Sequence, residues 1–85
     1  MDEQLGLVEQ LHRALRDAAR TRLSEAGRTL AATDLNVVFT APPQAGLRAT
    51  AQVTGGGRSL CFCEAELSDA DGRPVARAMG TFRYA

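Results

Sequence analysis

Lysine and tryptophan are absent from this 85-residue chain, and histidine and tyrosine occur once each. All ten basic residues are arginine, and ten acidic residues balance them to a formal net charge of zero. A neutral balance excludes the electrostatic footprint of nucleic-acid binding, and equally a basic helix lying on a membrane surface. Arginine without lysine, beside abundant alanine, is the codon mark of a GC-rich genome and points to a bacterial source rather than to any chemistry. No apolar run approaches the roughly 20 residues that cross a bilayer, and the N-terminus shows no signal-peptide pattern. A cytoplasmic protein with no membrane and no nucleic-acid partner is therefore expected.

Cysteine is scarce as well. Cys61 and Cys63 stand two apart, which places both on one face of a strand and is too close for a C-x-x-C redox or zinc motif. His12 lies far away in sequence, so the ligand set of a metal site is missing and no metal is expected. Buried free thiols in a reducing compartment are the simpler reading. The length fits one domain, residues 1–85, which buries only roughly 60% of its unfolded surface. A core that small makes association with another copy a reasonable expectation.

What is present begins with a long amphipathic stretch, Asp2 to Ala26, read as a helix over about residues 3–26. Leu5, Val8, Leu11, Leu15, Ala18, Ala19 and Leu23 follow the i, i+3, i+4, i+7 spacing of one buried face. Glu9, Arg13, Arg16, Asp17, Arg20 and Glu25 fill the solvated side. Asp2 is placed to cap the start, and Gly27 to supply the left-handed stop.

After Gly27 the apolar period changes from helical to alternating. Four strands are expected, at about 34–41, 47–54, 59–68 and 74–84. Leu35, Val37 and Phe39 share one side of the first, and Pro42-Pro43 breaks it because proline cannot donate to a ladder. The second alternates Leu47, Ala49, Ala51 and Val53 inward against Arg48, Thr50, Gln52 and Thr54 outward, and a Gly55-Gly56-Gly57 turn follows. In the third, Cys61, Cys63, Ala65 and Leu67 point inward. Asp69-Ala70-Asp71-Gly72 is a hairpin signal. The last strand turns Ala76, Ala78, Gly80, Phe82 and Tyr84 inward, with small residues that leave room for a helix to lie across. The fold class is α+β, one helix on one antiparallel sheet.

Several short runs, taken in order, carry a resemblance. They are Thr33 to Phe39, Pro42-Pro43, Gly57-Arg58-Ser59-Leu60, Glu64-Ala65-Glu66, Asp69 to Arg73, and Ala76 to Phe82. As a set they resemble the C-terminal portion of a hotdog-fold acyl-CoA thioesterase of the small phenylacetate-degradation type, over about Ala32 to Tyr84. The resemblance implies a long helix wrapped by a curved sheet, and a crossover rather than a hairpin at Pro42–Gly46. It implies a homodimer or homotetramer made through strand 34–40, with an acyl-CoA thioester bound at the dimer interface. It names no cofactor apart from the coenzyme A of the substrate.

The resemblance also places Gly57, Arg58, Ser59 and Asn36 among the residues that hold the CoA moiety. A guanidinium suits phosphate oxygens, although Arg58 reads equally as a solvated turn residue. Members of the group carry a strand and a His-Gly-Gly loop before the helix, and an acidic residue about two turns into it. Here Glu3-Gln4-Leu5-Gly6 falls at the loop position, and His12 or Arg13 at that of the acid. His12 is thus the candidate catalytic base, the alternative being a partly buried structural histidine. The strand that would pair with 47–54 is missing, which leaves that strand an open edge. Either assembly caps it or the start lies upstream of Met1. The readings that follow are a thioesterase with an incomplete catalytic set, a non-catalytic hotdog module for binding or assembly, and an inert α+β dimer.

Overall fold

The structure, a computed structural model, describes residues 2–22, 29–42 and 46–84, with side chains from Leu5 onward. It comprises α1 (Asp2–Arg20), β1 (Leu30–Phe39), β2 (Arg48–Gly56), β3 (Leu60–Ser68) and β4 (Pro74–Tyr84). The four strands form one antiparallel sheet in the order β1-β4-β3-β2. One helix on a four-stranded sheet is the expected architecture. Because β1 and β2 lie at opposite edges, the segment between them crosses the sheet, as the resemblance implied and a simple meander would not. Pro43, Gln44 and Ala45 within that segment lie outside the described residues.

The helix packs by a single i, i+4 row, Leu7, Leu11, Leu15 and Ala19, all buried. This corrects the expected stripe. Leu5 is 59% exposed and Val8 only half-buried, while Leu7, left off the stripe, belongs to the core. Both sets satisfy helical spacing, and the flat, small-residue sheet beneath decides between them. The receiving surface is Cys61, Cys63, Ala65 and Leu67 of β3 with Ala76, Ala78, Phe82 and Tyr84 of β4. Full burial of each leucine contributes roughly 2–3 kcal/mol.

Close approach is possible because Gly80 lies under the helix. A methyl group there would meet Leu15 Cδ1 at 3.2 Å and Phe82 Cε2 at 3.3 Å. The helix rests chiefly on β2, β3 and β4 and touches β1 least. Val37 and Phe39 are half-buried against the core, whereas Leu35, expected on the same inner side, remains exposed.

The boundaries differ from expectation at three places. The helix gives way to a turn at Thr21 and Arg22, where the Thr21 hydroxyl donates to the Ala18 carbonyl at 2.6 Å. The Arg22 amide donates to the Ala19 carbonyl at 3.2 Å, closing the end one residue tighter than an α-turn. Leu23, Glu25, Ala26 and the Gly27 stop lie outside the described residues. At the other end, the capping side chain of Asp2 lies outside them too. β1 begins at Leu30, four residues before the expected Asp34, because Leu30 pairs with Tyr84 and Ala31 with Arg83. β2 extends through Gly55 and Gly56, which pair with Phe62 and Cys61 after a bulge at Thr54. The turn there is Gly57 to Ser59 alone.

The expected hairpin between β3 and β4 is present. Gly72 takes a positive φ of 84°, the Gly72 amide donates to the Asp69 carbonyl at 3.0 Å and the Asp69 amide to the Arg73 carbonyl at 2.9 Å. The buried Asp69 carboxylate adds two bonds, accepting from the Asp71 and Arg73 amides at 2.9 and 3.0 Å. Those amides, with Arg73 Nε at 3.5 Å, hold its carboxyl below the usual range, and burial opposes them.

Candidate functional site

His12 sits on the flank of α1 rather than on its buried row, and it is half-buried. Its imidazole lies nearly parallel to the Phe82 ring, with centroids 6.2 Å apart and planes 6° from each other. Stacking buries Nε2 completely, and that nitrogen has no hydrogen-bond partner. An unpaired buried ring nitrogen costs about 1–3 kcal/mol, so His12 is not a satisfied core histidine. It borders a surface groove of about 400 Å³ with Glu9, Arg13, Arg16, Asp17 and Arg20. The groove therefore carries three guanidinium groups and two carboxylates around one imidazole. Glu9 and Asp17 are exposed, as a solvated helix face requires.

The turn at Gly57, Arg58 and Ser59 is exposed and joins β2 to β3. Its backbone is pinned on both sides, the Gly57 amide donating to the Leu60 carbonyl at 2.8 Å and the Tyr84 amide to the Ser59 carbonyl at 2.9 Å. The turn stands at the end of the sheet where the helix finishes. There Arg22 Nη1 donates to the Gly55 carbonyl at 3.0 Å, and the Tyr84 hydroxyl to the Ala19 carbonyl at 2.9 Å. His12 stands further back along the helix, facing Phe82.

Asn36 is elsewhere. Paired with Met79 in the ladder, it stands on the sheet face turned away from the helix. The structure thus separates the sequence candidates within one chain. His12 lies on the helix side, Asn36 on the opposite face, and Gly57, Arg58 and Ser59 at one end. The outer face, which the alternation pattern treated as plain solvent surface, forms a concavity of about 660 Å³ bordered by Asn36, Val38, Gln52, Glu64, Arg77 and Met79 among others. The consecutive apolar residues Val37 and Val38 were the available signal, since neighbours in a strand point to opposite faces.

The two thiols are free and buried, with Cys61 Sγ and Cys63 Sγ 3.5 Å apart. Burial pushes the Cys63 thiol up to about 12, helped by its bond to Cys61 and opposed by the nearby Arg22 charge. The Tyr84 hydroxyl is likewise pushed up to about 12, again chiefly by burial. Both groups are held neutral, so neither serves as a nucleophile at neutral pH. Among the described residues no three His, Cys, Asp or Glu side chains gather in metal-binding geometry. No described helix is long and apolar enough to cross a membrane.

β1 completes the picture. It lies at one edge of the sheet, and Asp34 is its sole charged residue. Ten residues of strand with one unpaired ladder edge form a template for pairing with another strand.

Known proteins resemble this chain in sequence and in fold. Residues 7–76 match the profile of the Thioesterase superfamily. Among solved structures, a Bacillus halodurans protein crystallised with CoA superposes with a TM-score of 0.85 at 23% identity, over 92% of this chain and 55% of that one. A phenylacetic acid degradation-related protein of Ralstonia eutropha JMP134, a candidate thioesterase, gives a TM-score of 0.73 at 34% identity, over 89% and 60%. A Shewanella oneidensis protein related to the thioesterase superfamily gives 0.60 at 24% identity, over 89% and 42%. The two at 23% and 24% identity show the shared fold alone. This chain spans 42–60% of the length of these solved chains. No curated protein matches it.

Proposed function

Because this chain belongs to the thioesterase superfamily, we propose that it binds an acyl-CoA thioester, and acts on it, at the interface of a homodimer built by pairing β1 with its symmetry mate. The observation that carries the reading is the 34% identity and matching fold shared with the phenylacetic acid degradation-related protein. The CoA in the Bacillus halodurans structure supports the ligand class. The open β1 edge supports the dimer, since its ladder groups are otherwise unpaired.

In this reading two β1 strands pair antiparallel and join two sheets into one. The flank of α1 that carries His12 then borders the cleft beside β1. In the register that sets His12 rather than Arg13 at the position of the family's acidic residue, its imidazole accepts a proton from water attacking a thioester carbonyl. Its unpaired Nε2 is the group that takes this role once a ligand or water reaches it. The pinned turn Gly57-Arg58-Ser59 receives the pantetheine or phosphate end, Arg58 by bidentate contact. Asn36, on the outer face, reaches CoA only from the far side of the sheet.

A second reading, a binding or assembly module without turnover, is favoured by one observation. The His12 Nε2 that would accept the proton is fully buried beside the Phe82 ring, out of reach of an attacking water unless that flank opens.

The test is a panel of aliphatic and aromatic acyl-CoAs assayed with a thiol-trapping dye. Turnover that His12→Ala abolishes supports the catalytic reading. With no turnover, calorimetric binding of free CoA that Arg58→Ala weakens supports the binding module. Neither turnover nor CoA binding overturns both.

A further inference from the structure

Two cysteines are all that this chain has, and the fold sets them against each other. Cys61 and Cys63 lie on the inner side of β3, 0% and 2% exposed, with their sulfurs 3.5 Å apart. Small apolar side chains would fill the same volume without bringing two sulfurs into contact. A disulfide bond measures roughly 2.05 Å, so about 1.5 Å of closure, shared by two side chains, separates these thiols from a bond.

We infer that Cys61 and Cys63 form a reversible redox site, which a peroxide closes to a disulfide and a thiol reductant reopens. One thiolate attacks the O–O bond, takes one oxygen as a sulfenic acid and releases hydroxide, which accepts the proton that the thiol gave up. The second sulfur displaces the sulfenic oxygen, and its own proton leaves with that oxygen as water. Two thiols and one hydrogen peroxide thus become one disulfide and two waters.

The bridge is of the labile kind. Residues two apart along a strand have Cα atoms about 6.4–6.8 Å apart, at the upper end of the roughly 4.4–6.8 Å that disulfides span. Strain of this origin makes a disulfide easy to reduce, the property of regulatory rather than structural bridges. The loop it closes encloses Phe62 alone, so it restrains the unfolded chain little. Closure therefore weakens the fold instead of stapling it. Across from the pair, β2 carries the Thr54 bulge and then Gly55 and Gly56, which face Phe62 and Cys61 without side chains to resist the contraction.

Access is governed by the end of α1. Two hydrogen bonds hold that end over the pair, from the Tyr84 hydroxyl to the Ala19 carbonyl at 2.9 Å and from Arg22 Nη1 to the Gly55 carbonyl at 3.0 Å. The Tyr84 hydroxyl also bonds Cys61. Buried and protonated thiols do not meet peroxide, so oxidation proceeds through local opening of the helix end. The bridge then lies across from Phe82, which stacks on His12, and from Gly80, which Leu15 overlies.

Mass spectrometry of the full chain tests the site, after hydrogen peroxide at neutral pH, alkylation of remaining thiols in denaturant, and trypsin. The peptide Ser59–Arg77 holds both cysteines and no methionine. In wild type it is expected to lose two hydrogens, take up no alkylating agent, and regain both thiols with dithiothreitol. The oxidised chain is expected to melt below the reduced one, read by circular dichroism. Tyr84→Phe, which loosens the helix end, is expected to oxidise roughly 2- to 10-fold faster. Asp69→Asn, which loosens the hairpin at the other end of the sheet, is expected to oxidise near the wild-type rate. An unchanged peptide, oxygen added to separate sulfurs, or a bond between two chains overturns the site. A higher melting temperature on oxidation overturns the labile bridge. Equal rates in wild type and Tyr84→Phe, or equal acceleration by both substitutions, overturn gating by the helix end.

Discussion

The Tyr84 hydroxyl donates a 2.9 Å hydrogen bond to the carbonyl oxygen of Ala19. The last described residue of the sheet is thereby tied to the last buried residue of the helix row. Both side chains lie in the core, and the Ala19 carbonyl, at the helix end, accepts from the Arg22 amide as well. Tyr84→Phe removes the donor and keeps the ring. The expected loss is about 0.5–1.5 kcal/mol, that of one hydrogen bond, since the carbonyl keeps the Arg22 amide as a donor, measured as a lower urea midpoint at unchanged slope.

Gly80 sets the distance between helix and sheet. Gly80→Ala pushes on Leu15 Cδ1 and Phe82 Cε2, at 3.2 and 3.3 Å from the new methyl. Overpacking of this kind costs about 1–3 kcal/mol. Gly80→Ala combined with Leu15→Val is expected to recover part of the loss, and additive losses in the double variant would show that the two positions do not compete for one space.

Alkaline pH is expected to destabilise the protein. Cys63 is raised from 9.0 to about 12 and Tyr84 from 10.0 to about 12. The unfolded chain thus releases these protons first, and the stability they contribute is full below pH 9 and declines as pH rises towards 12. Cys63→Ala is expected to flatten the melting temperature between pH 9 and 11 relative to wild type, read by circular dichroism.

Asp69 works in the opposite direction. Its carboxyl is lowered from 3.8 by the Arg73 and Asp71 amides, so its contribution is complete above 3.8 and disappears as pH falls through the folded value. Asp69→Asn retains an acceptor oxygen but loses the charge. Its melting temperature is expected to fall less than that of wild type between pH 4 and 2.

The sheet was legible because strand alternation has a period of two, and one slip would turn every side chain over. Cys61, Cys63, Ala65 and Leu67 therefore fell inward without ambiguity. The helix was legible as an element but not in its rotation. Rows through Leu5 and Val8 or through Leu7 differ by a fraction of a turn, and Gly80 and its small neighbours choose between them. Leu30 to Ala32 show no alternation, and their strand exists because Tyr84 and Arg83 pair with it.

The strand order came with the family resemblance and not from periodicity, which is blind to which strands are neighbours. The same blindness governed the candidate residues. Asn36 and His12 stand 24 positions apart in the sequence, and nothing in that spacing tells that they occupy opposite sides of a sheet. The groove arginines were read as a solvated face, and Arg13 and Arg20 are exposed while Arg16 is half-buried. That they surround a half-buried imidazole with an unpaired nitrogen required the Phe82 ring to be placed.

The order β1-β4-β3-β2 also has a consequence in time. The β3–β4 hairpin closes locally through Asp69 to Gly72 and forms as soon as its own residues are free. β1 has no such neighbour in the sequence, because Leu30 finds its place only against Tyr84. Such long-range closure is slow, whereas the apolar row Leu7, Leu11, Leu15 and Ala19 rests chiefly on β2, β3 and β4 and is covered without it. β1 joins the sheet only once β4 is made, so a product truncated within β4 leaves β1 unpaired.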